Sequence, residues 1–600
     1  MPQSDIVPDF GNFSCRMPFQ IQANYFKTYL GLILPRKASV RDALDLCFSQ
    51  KADFILIPVE TRDFPEPRLV DIRDVSSELM GSSVIGLIEP QGILDASRSY
   101  AELITGIEWA VHAGMHSVVL RAAELPENHL TRIVSWFTDS FPPQTSLTRL
   151  VLRVEYDEWE MWNRVRTICN YPPKLFVWLG LPSSTISTCK TVCERWLSEP
   201  VSMFNVSSGS DASFVADSHV VLNLAKRNAH PVFYSHEHMQ PFVDIMSGFG
   251  PLSAAESYVA PFYDSLQLPL QPLADHMENT VYETFEGDRT KYDLYEEAIF
   301  RAAKDLLEKY RSLTCVRIAV VGAGRGGLID ASIRAIQRLS SDNCVKFEIT
   351  GVEKNPHAAR TLKYKQQDDP LWHSMQEQVS VKIVHGDMRN WCVEFPVDIL
   401  VSELLGSLGD NEASPECLDS VTHVLHPERG VSIPSSYYST LEPISSHKIW
   451  AATREGDKFE TPLVVLFHSF FQPCSSPPVS LFSFTHGPGP SSNLLSQSRE
   501  LSWYISVDAV IHGFAGYFHA ELFPGVVMSI DPPSASKDMV SWFPAFLPLR
   551  TPIFVKKGDS ISVRVDRIST QSRTWIQWTV LSPHCQPTNN ANGSRHSVGL

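Results

Sequence analysis

Two glutamates in one short, glycine-containing segment are the residues whose types and spacing suggest chemistry most directly. Glu403 and Glu412 stand in SELLGSLGDNEASPE, residues 402–416, directly after an apolar run that predicts a buried strand. Gly406 and Gly409 permit a tight loop that returns Glu412 beside Glu403. Two adjacent carboxylates force one pKa upward, whereas a planar guanidinium satisfies both with its fork of N–H donors. The spacing therefore predicts a guanidinium site.

The alternative is that the two glutamates have separate structural roles. Glu412 would then cap a helix that begins near Ser414, and Glu403 would form an unrelated salt bridge. For two isolated glutamates this would be the better interpretation. The segments that precede them reverse the preference, because they predict a cofactor fold.

A glycine-rich loop lies upstream and has the features of a nucleoside site. VVGAGRGGL, residues 320–328, follows a buried strand and opens a helix, so its backbone can approach a ligand next to free N–H groups. Gly322, Gly324 and Gly327 also match the dinucleotide pattern GxGxxG, which by itself favours neither kind of cofactor. A dehydrogenase therefore stays open at this point, although no obvious hydride-transfer partner is present.

Acids at the ends of the following strands narrow this choice. Glu353 ends the second strand, where an acid binds ribose hydroxyls. Asp387 and Met388 follow a later strand, and together they suit an adenine ring, with the acid accepting from the exocyclic amine. Taken alone, Asp387 could equally cap a helix. The ordered set of glycine loop, ribose acid and Asp–Met step is typical of S-adenosylmethionine-binding enzymes.

Methyl transfer to arginine would use both parts of such a site. The arginine charge is delocalised over the guanidinium nitrogens, whereas transfer needs electron density on one terminal nitrogen. Paired carboxylates localise the charge, orient the group and help to remove a proton. We therefore interpret the chain as a methyltransferase acting on protein arginine. A non-catalytic scaffold that retains the fold is the alternative, which S-adenosylmethionine binding would test.

The elements that must position these residues fall into three stretches. In residues 25–240, short apolar runs alternate with helical patterns such as 40–48 and 102–112, which is typical of parallel strands buried on both faces. Eight units fit a closed (β/α)₈ barrel, with an open α/β sheet as the alternative. The predicted strands are 29–34, 54–58, 84–88, 117–120, 150–154, 175–179, 202–206 and 232–234.

A Pro-rich linker at 266–273 and a helix at 291–310 lead into a second α/β stretch. Its parallel sheet is predicted from strands at 316–321, 347–352, 379–384 and 397–401, with a helix at 332–339. From about residue 431 helices become rare, which predicts an antiparallel β domain. Its predicted strands are 464–471, 503–511, 526–530, 561–565 and 575–581.

Composition limits the classes of partner. The formal net charge of −16 disfavours direct nucleic-acid binding and suits basic protein partners, although many soluble enzymes are simply acidic. The 11 cysteines form no metal-binding pattern, so we expect no metal and a reducing compartment. Neither a signal peptide nor a membrane-spanning run is evident. We expect a chain of the cytoplasm and nucleus.

The segment SELLGSLGDNEASPECLD resembles the double-glutamate loop of protein arginine methyltransferases, most closely the type II class that makes symmetric dimethylarginine. Similar motifs cover residues 265–600, and looser matches lie at 159–170 and 195–200. The motifs are PLQPL, YETFE (282–286), KY (291–292), GAGRG, VEKNP, GDMRNW, VSIPSSY, HGFAGYF, SWFP (541–544) and the terminal VGL.

The resemblance implies roles for individual residues. Glu403 and Glu412 would grip the substrate guanidinium as the catalytic pair, and Phe285, Trp542 and Phe543 would contact the substrate. Phe285 stands where enzymes that make the asymmetric product carry Met, so it implies symmetric dimethylation. The residues that would hold S-adenosylmethionine are Tyr282, Lys291, Tyr292, Gly322, Gly324, Arg325, Glu353, Asp387 and Met388.

The resemblance also implies the architecture and the partners. It predicts a TIM barrel at 1–250 for partner contacts, a Rossmann-like catalytic domain at 251–433, and a β-barrel at 434–600 for substrate binding and dimerisation. Expected substrates are Arg/Gly-rich segments of histone tails, splicing proteins and RNA-binding proteins. We expect a homo-oligomer, a dimer or larger. A WD-repeat propeller docks on the N-terminal barrel in animal members, and this chain differs most there, which leaves that partner open.

Overall fold

The structure, a computed structural model, describes residues 31–33, 54–58, 83–88, 96–112, 114–181, 190–206, 219–226, 229–233, 253–339, 345–489, 491 and 493–600. These residues fall in two compact units. One lies within Met1–Ser257 and Ser469–Phe471, and the other within Tyr258–His468 and Gln472–Leu600. No helix of the described ranges is both long and apolar enough to cross a bilayer.

The first unit contains a closed barrel of parallel strands. Each strand pairs with its neighbours in chain order, and the last strand pairs with the first. The closed (β/α)₈ barrel is therefore confirmed, and the open sheet is wrong. The strands are β1 (Gly31–Ile33), β2 (Phe54–Pro58), β3 (Ser83–Ile88), β4 (Ser117–Arg121), β5 (Arg149–Glu155), β6 (Leu175–Leu181), β7 (Val201–Val206) and β8 (His230–Phe233).

Helices lie between these strands, as the alternating pattern predicts. The predicted helix at 102–112 is part of a longer one, and the predicted helix at 40–48 lies outside the described residues. The helices of residues 96–259 are α1 (Ala96–His112), α2 (Glu127–Ser140), α3 (Trp159–Ile168), α4 (Lys190–Glu194), α5 (His219–Lys226) and α6 (Ala254–Val259).

The barrel encloses a cluster of buried apolar side chains. Its members come from separate strands, and they are Leu56, Val119, Val151, Trp178, Met203 and Val232. Trp178 is the largest, and its indole N–H donates to the Asn205 side-chain oxygen at 2.8 Å. Since both groups are buried, this hydrogen bond satisfies polar atoms that water cannot reach. The centre of the barrel is thus a packed core.

The second unit begins with a five-stranded parallel sheet in the order β11-β10-β9-β12-β13. Its strands are β9 (Cys315–Val321), β10 (Lys346–Glu353), β11 (Val379–His385), β12 (Ile399–Ser402) and β13 (Val431–Ile433). The chain first adds β10 and β11 on one side of β9 and then adds β12 and β13 on the other side. The carboxyl ends of β9 and β12 therefore flank a topological switch point, where ligands of open α/β sheets bind.

Helices and a second β arrangement complete this unit. The helices are α7 (Asn279–Glu286), α8 (Arg289–Lys309), α9 (Gly327–Gln337), α10 (Pro356–Asp368), α11 (Pro370–His373), α12 (Ser414–Val421) and α13 (His447–Glu455). The C-terminal strands are β14 (Ser436–Ile444), β15 (Leu463–Val464), β16 (Val479–Thr485), β17 (Gln497–Tyr504), β18 (Ala509–Phe523), β19 (Val526–Ser529), β20 (Ala545–Val555), β21 (Ser560–Ser569), β22 (Arg573–Ser582) and β23 (Val598–Gly599).

The C-terminal strands pair antiparallel, as predicted, and they divide between a six-stranded and a four-stranded sheet. Two of the predicted strands are wrong in extent. Of the run 464–471 only Val464 belongs to a strand, Leu463–Val464, because the N–H of Val465 donates instead to Pro544 in a segment outside the strands. The run 503–511 contains the end of β17 and the start of β18. Ile505 and Val507 lie between these two strands and are buried, so the sequence shows one continuous apolar run where the structure has two strands.

We predict that Trp178→Ala destabilises the barrel by about 3–5 kcal/mol, since it removes a large buried ring and leaves Asn205 without its donor. Urea denaturation followed by circular dichroism measures this change. The matched control is Ile168→Ala on α3, where the side chain is 65% exposed and the expected change is within about 0.5 kcal/mol. Equal unfolding midpoints for the two variants would contradict the role of Trp178 in the core.

Candidate active site

The loop after β12 carries both glutamates. The N–H of Gly409 donates to the Gly406 carbonyl at 2.7 Å, and the N–H of Leu408 donates to the Asn411 side-chain oxygen at 2.7 Å. Gly409 has φ +77°, a left-handed conformation that favours glycine. These contacts close the tight loop that the two glycines predict, and the chain returns toward β12 at Glu412.

The charge of Glu403 acts on Glu412. The pKa of the Glu412 carboxyl lies well above its usual range, chiefly because of burial and additionally because of the neighbouring Glu403 charge. The two side chains are therefore within electrostatic reach. The N-cap position of helix α12 is held by Ala413, whose side chain makes no cap hydrogen bond. The alternative in which Glu412 caps this helix is wrong.

Three aromatic rings surround one cation beside Glu403. The ammonium of Lys291 lies 3.6 Å from Glu403 Oε2. It also lies 5.1 Å from the centre of the Phe285 ring, 4.9 Å from that of Tyr292 and 5.4 Å from that of Trp542. These separations are within the range of cation–π attraction. The structure thus brings Phe285 and Trp542 together with Glu403, as a guanidinium site requires.

Trp542 is attached to the glutamate loop. Its indole N–H donates to the Leu405 carbonyl at 2.7 Å, and its ring meets Phe518 edge-on at 5.3 Å. The ring is therefore held in one orientation beside the loop. The neighbouring Phe543 contacts the Phe262 ring, with centres 5.8 Å apart. Trp542 and Phe543 thus make different contacts.

The glycine loop after β9 is tied to the acid at the end of β10. The N–H of Gly324 donates to Glu353 Oε2 at 2.7 Å, and the N–H of Asn355 donates to Oε1 at 2.6 Å. Burial raises the pKa of Glu353, and the backbone donors act in the opposite direction. Gly322 and Gly324 both have positive φ, at +67° and +53°. Glu353, the acid expected to bind the ribose, is thereby held against the glycine loop, which is expected to bind the rest of the nucleoside.

Side chains from four other segments lie against the glycines. A Cβ on Gly324 would be 3.2 Å from the Tyr282 ring, and one on Gly327 would overlap the Tyr292 ring at 2.6 Å. A Cβ on Gly322 would be 3.0 Å from Leu404 and 3.5 Å from Met388. The glycines thus form a cradle that side chains would fill. Backbone N–H groups, an acid and flat apolar surfaces suit an adenine nucleoside.

Two predicted cofactor residues bind other side chains of the chain. Asp387 forms a two-pronged ion pair with Arg389, and that hydrogen bonding lowers the pKa of the Asp387 carboxyl. It also caps the one-turn helix Met388–Asn390, as the helix-cap interpretation expects. The Arg325 guanidinium donates to both carboxylate oxygens of Glu286, at 3.1 and 2.6 Å. Arg325 therefore joins the glycine loop to α7, the helix that bears Tyr282 and Phe285.

Sequence reasoning missed the aspartate that joins α8 to the aromatic segment. Asp288 caps α8 by accepting from the N–H of Lys291 at 3.1 Å. Its other oxygen accepts from the N–H groups of Val540 and Ser541 at 2.9 and 2.7 Å. One buried carboxylate therefore positions both Lys291 and the segment that leads to Trp542. An N-cap aspartate before a helix is recognisable in the sequence, whereas its distant partners are not.

Sequence reasoning also missed the arginine behind the loop. Arg567 of β21 is 1% exposed, and its guanidinium bonds Asp410 at 2.7 Å and both oxygens of Glu416 at 2.8 Å. It also donates to the carbonyl of Leu495. Burial raises the pKa of Asp410 to about 6, and the Arg567 charge opposes that rise. A buried acid predicts some cation nearby, but nothing in the sequence indicates which one.

Together, a Rossmann-like sheet, a nucleoside cradle and a paired-acid loop at its switch point define an S-adenosylmethionine-dependent methyltransferase. Comparison with known proteins identifies the family. The family models described as PRMT5 TIM barrel domain, PRMT5 arginine-N-methyltransferase and PRMT5 oligomerisation domain match residues 60–237, 253–433 and 436–598.

Relatives match over most of the chain. Protein arginine N-methyltransferase skb1 of Schizosaccharomyces pombe is 34% identical over 541 residues, which cover 82% of each chain. Protein arginine N-methyltransferase 5 of Xenopus laevis is 36% identical over 74% of this chain and 71% of its own. That of Oryza sativa subsp. indica is 32% identical, covering 95% and 97%. The chain belongs to the protein arginine N-methyltransferase 5 family.

Family membership establishes the reaction class. The protein is an arginine N-methyltransferase that uses S-adenosylmethionine as its methyl donor, and the dehydrogenase interpretation is wrong. The match to the oligomerisation domain supports assembly into an oligomer. The roles of individual site residues stay predictions.

We predict that Arg567→Met lowers the stability of the second unit by about 3–5 kcal/mol, because Asp410 and Glu416 would remain buried without their cation. The control is Arg564→Met on the same strand, where the side chain is 42% exposed and faces Asp566 at 3.6 Å. Denaturant unfolding monitored by tryptophan fluorescence compares the two. If both variants unfold at the wild-type midpoint, Arg567 does not stabilise the loop.

Proposed function

We propose that this protein is a type II enzyme, which makes monomethylarginine and then symmetric dimethylarginine in Arg/Gly-rich segments of histones, splicing proteins and RNA-binding proteins. The observation that carries the proposal is the placement of Glu403, electrostatically coupled to Glu412, beside the rings of Phe285 and Trp542. Two acids and two aromatic faces suit a planar cation better than any neutral substrate.

The acids have complementary tasks in this mechanism. S-adenosylmethionine supplies a methyl group on a positively charged sulfur. Glu403 and Glu412 draw the guanidinium charge away from the attacking nitrogen and hold that nitrogen in line. The methylated guanidinium keeps one positive charge only if a proton leaves, so one acid accepts it. Glu412 suits this step, because burial and the neighbouring Glu403 charge raise its pKa and so increase the affinity of its carboxylate for a proton.

The position of Phe285 supports the symmetric product. Its ring lies beside the same cation as those of Tyr292 and Trp542, so it limits the space around a bound guanidinium. A terminal nitrogen that already carries a methyl group needs more room than an unmodified one. We therefore infer that the second methyl goes to the other terminal nitrogen.

Partners, location and domain roles are part of the same proposal. A formal charge of −16 favours encounter with basic Arg/Gly-rich segments. We propose domains at 1–250, 251–433 and 434–600, with the last contributing substrate contacts and a dimer interface. The N-terminal barrel is the proposed docking site for a WD-repeat protein. The expected locations are the cytoplasm and the nucleus, where histones and splicing proteins are found.

We predict that Glu403→Gln and Glu412→Gln each lower kcat by at least about a hundredfold, since either amide removes a negative charge from the guanidinium site. Methylation of a histone H4 tail peptide measures the loss. Calorimetry with S-adenosylmethionine provides the control, because its binding should change little in either variant. Wild-type turnover in either variant would refute the roles assigned to the two glutamates.

We predict that Phe285→Met admits some asymmetric dimethylarginine, because a flexible thioether leaves more room beside the methylated nitrogen than a rigid ring does. Mass spectrometry of the methylated peptide separates the monomethyl, symmetric and asymmetric products. Phe262→Met, which alters the ring beside Phe543, is the matched control and should keep the wild-type product ratio. An unchanged ratio in Phe285→Met would contradict the role given to Phe285.

A further inference from the structure

Lys291 places a positive charge inside the guanidinium site. It belongs to α8 and is 1% exposed, so its ammonium has lost most of its contact with water. Burial of a charge is unfavourable unless an opposite charge and polarisable groups replace the solvent. Glu403 and the three rings of Phe285, Tyr292 and Trp542 provide that replacement.

The groups around Lys291 are those that the proposed reaction requires for its substrate. Glu403, Phe285 and Trp542 contact the ammonium, and the same three residues would hold the substrate arginine. Two like charges in one buried site repel strongly, because the low dielectric weakens screening. The lysine and the substrate therefore exclude each other. A productive complex requires the Lys291 side chain to leave this position.

We propose that Lys291 is an internal competitor, which holds the arginine site until the methyl donor binds. This inference rests on the proposed function, because it takes Glu403 to be the residue that binds substrate. Lys291 is also adjacent in sequence and space to Tyr292, which lies against the Gly327 end of the cofactor loop. Lys291 thus lies between the arginine site and the cofactor site. When the methyl donor binds, the lysine can leave the carboxylate of Glu403 and pair with the α-carboxylate of the donor.

The exchange produces a binding order without a moving domain. Before the exchange, Glu403 is neutralised by Lys291 and attracts a substrate cation weakly. Afterwards Glu403 is free, its negative charge adds to that of Glu412, and arginine binds. Cofactor binding and arginine binding are then positively coupled, and each tightens the other by the same factor. Arginine peptides consequently bind after the cofactor, which limits unproductive complexes.

The test measures equilibrium binding of an Arg/Gly-rich peptide to the full chain by calorimetry. S-adenosylhomocysteine, which has the carboxylate but no transferable methyl, should tighten peptide binding by about tenfold or more. 5′-Methylthioadenosine, a nucleoside without the carboxylate, should change the peptide Kd by less than about twofold. Equal effects of the two nucleosides on wild-type protein would overturn the proposal, and this comparison needs no folded variant.

A variant series isolates the lysine. Lys291→Met should bind the peptide without nucleoside about tenfold more tightly than the wild type does, and S-adenosylhomocysteine should add little. Lys304→Met, an exposed lysine on the same helix, should behave as the wild type. If Lys291→Met leaves the nucleoside-free Kd unchanged, the internal competitor does not exist.

The same measurements separate this inference from the proposed function. A wild-type protein that methylates the peptide but shows no coupling between nucleoside and peptide contradicts only the inference. A protein that neither binds nor methylates the peptide in the presence of cofactor contradicts the proposed function, and the inference with it. Loss of peptide binding in Glu403→Gln, with and without nucleoside, would support the shared carboxylate on which both depend.

Discussion

Two carboxylates held close together in a buried loop repel each other, and two buried cations of the second unit offset the negative charge of that segment. Burial and the charge of Glu403 already hold the pKa of Glu412 well above its usual range. Further acids belong to the same segment, since Asp410 lies in the loop and Glu416 on α12, and both are buried. Left unbalanced, this concentration of negative charge would open the loop or protonate it. The cations that prevent this outcome determine how the site is built.

Two cations act on different acids of this segment. Arg567 forms a short hydrogen bond to Asp410 and a two-pronged one to Glu416, the geometry in which a buried arginine is most specific. Lys291 contacts Glu403 instead, and its 3.6 Å separation is longer. The shorter contacts of Arg567 suit a structural role, whereas the longer contact of Lys291 suits an ion pair that must break when substrate binds. Arg567 supports the loop, and Lys291 occupies the position at which we propose that the substrate binds.

Much of the fold follows from local patterns. All eight barrel strands and four of the five strands of the parallel sheet are predicted, because parallel strands buried on both faces form continuous apolar runs. The fifth, β13 (Val431–Ile433), has only three residues and is not predicted. The errors in strand prediction occur where apolar residues are buried without pairing as strands. Ile505 and Val507 are buried in the connection between β17 and β18, and the residues after Val464 contact other segments without forming a ladder. In both places the sequence shows apolarity, whereas the backbone hydrogen bonds that define a strand go elsewhere.

For the site, the sequence by itself determined the chemical groups and the loops that carry them. Glycines with positive φ, an acid at the end of β10 and two glutamates after β12 are local features, and it is their order along the chain that indicates the site. Only the tertiary structure decided their partners. Arg567 at Asp410, Asp288 at Ser541, Trp542 at Leu405 and Lys291 at Glu403 join residues far apart in the chain. Such pairings depend on how sheets and helices pack together, and no spacing along one sequence contains that information.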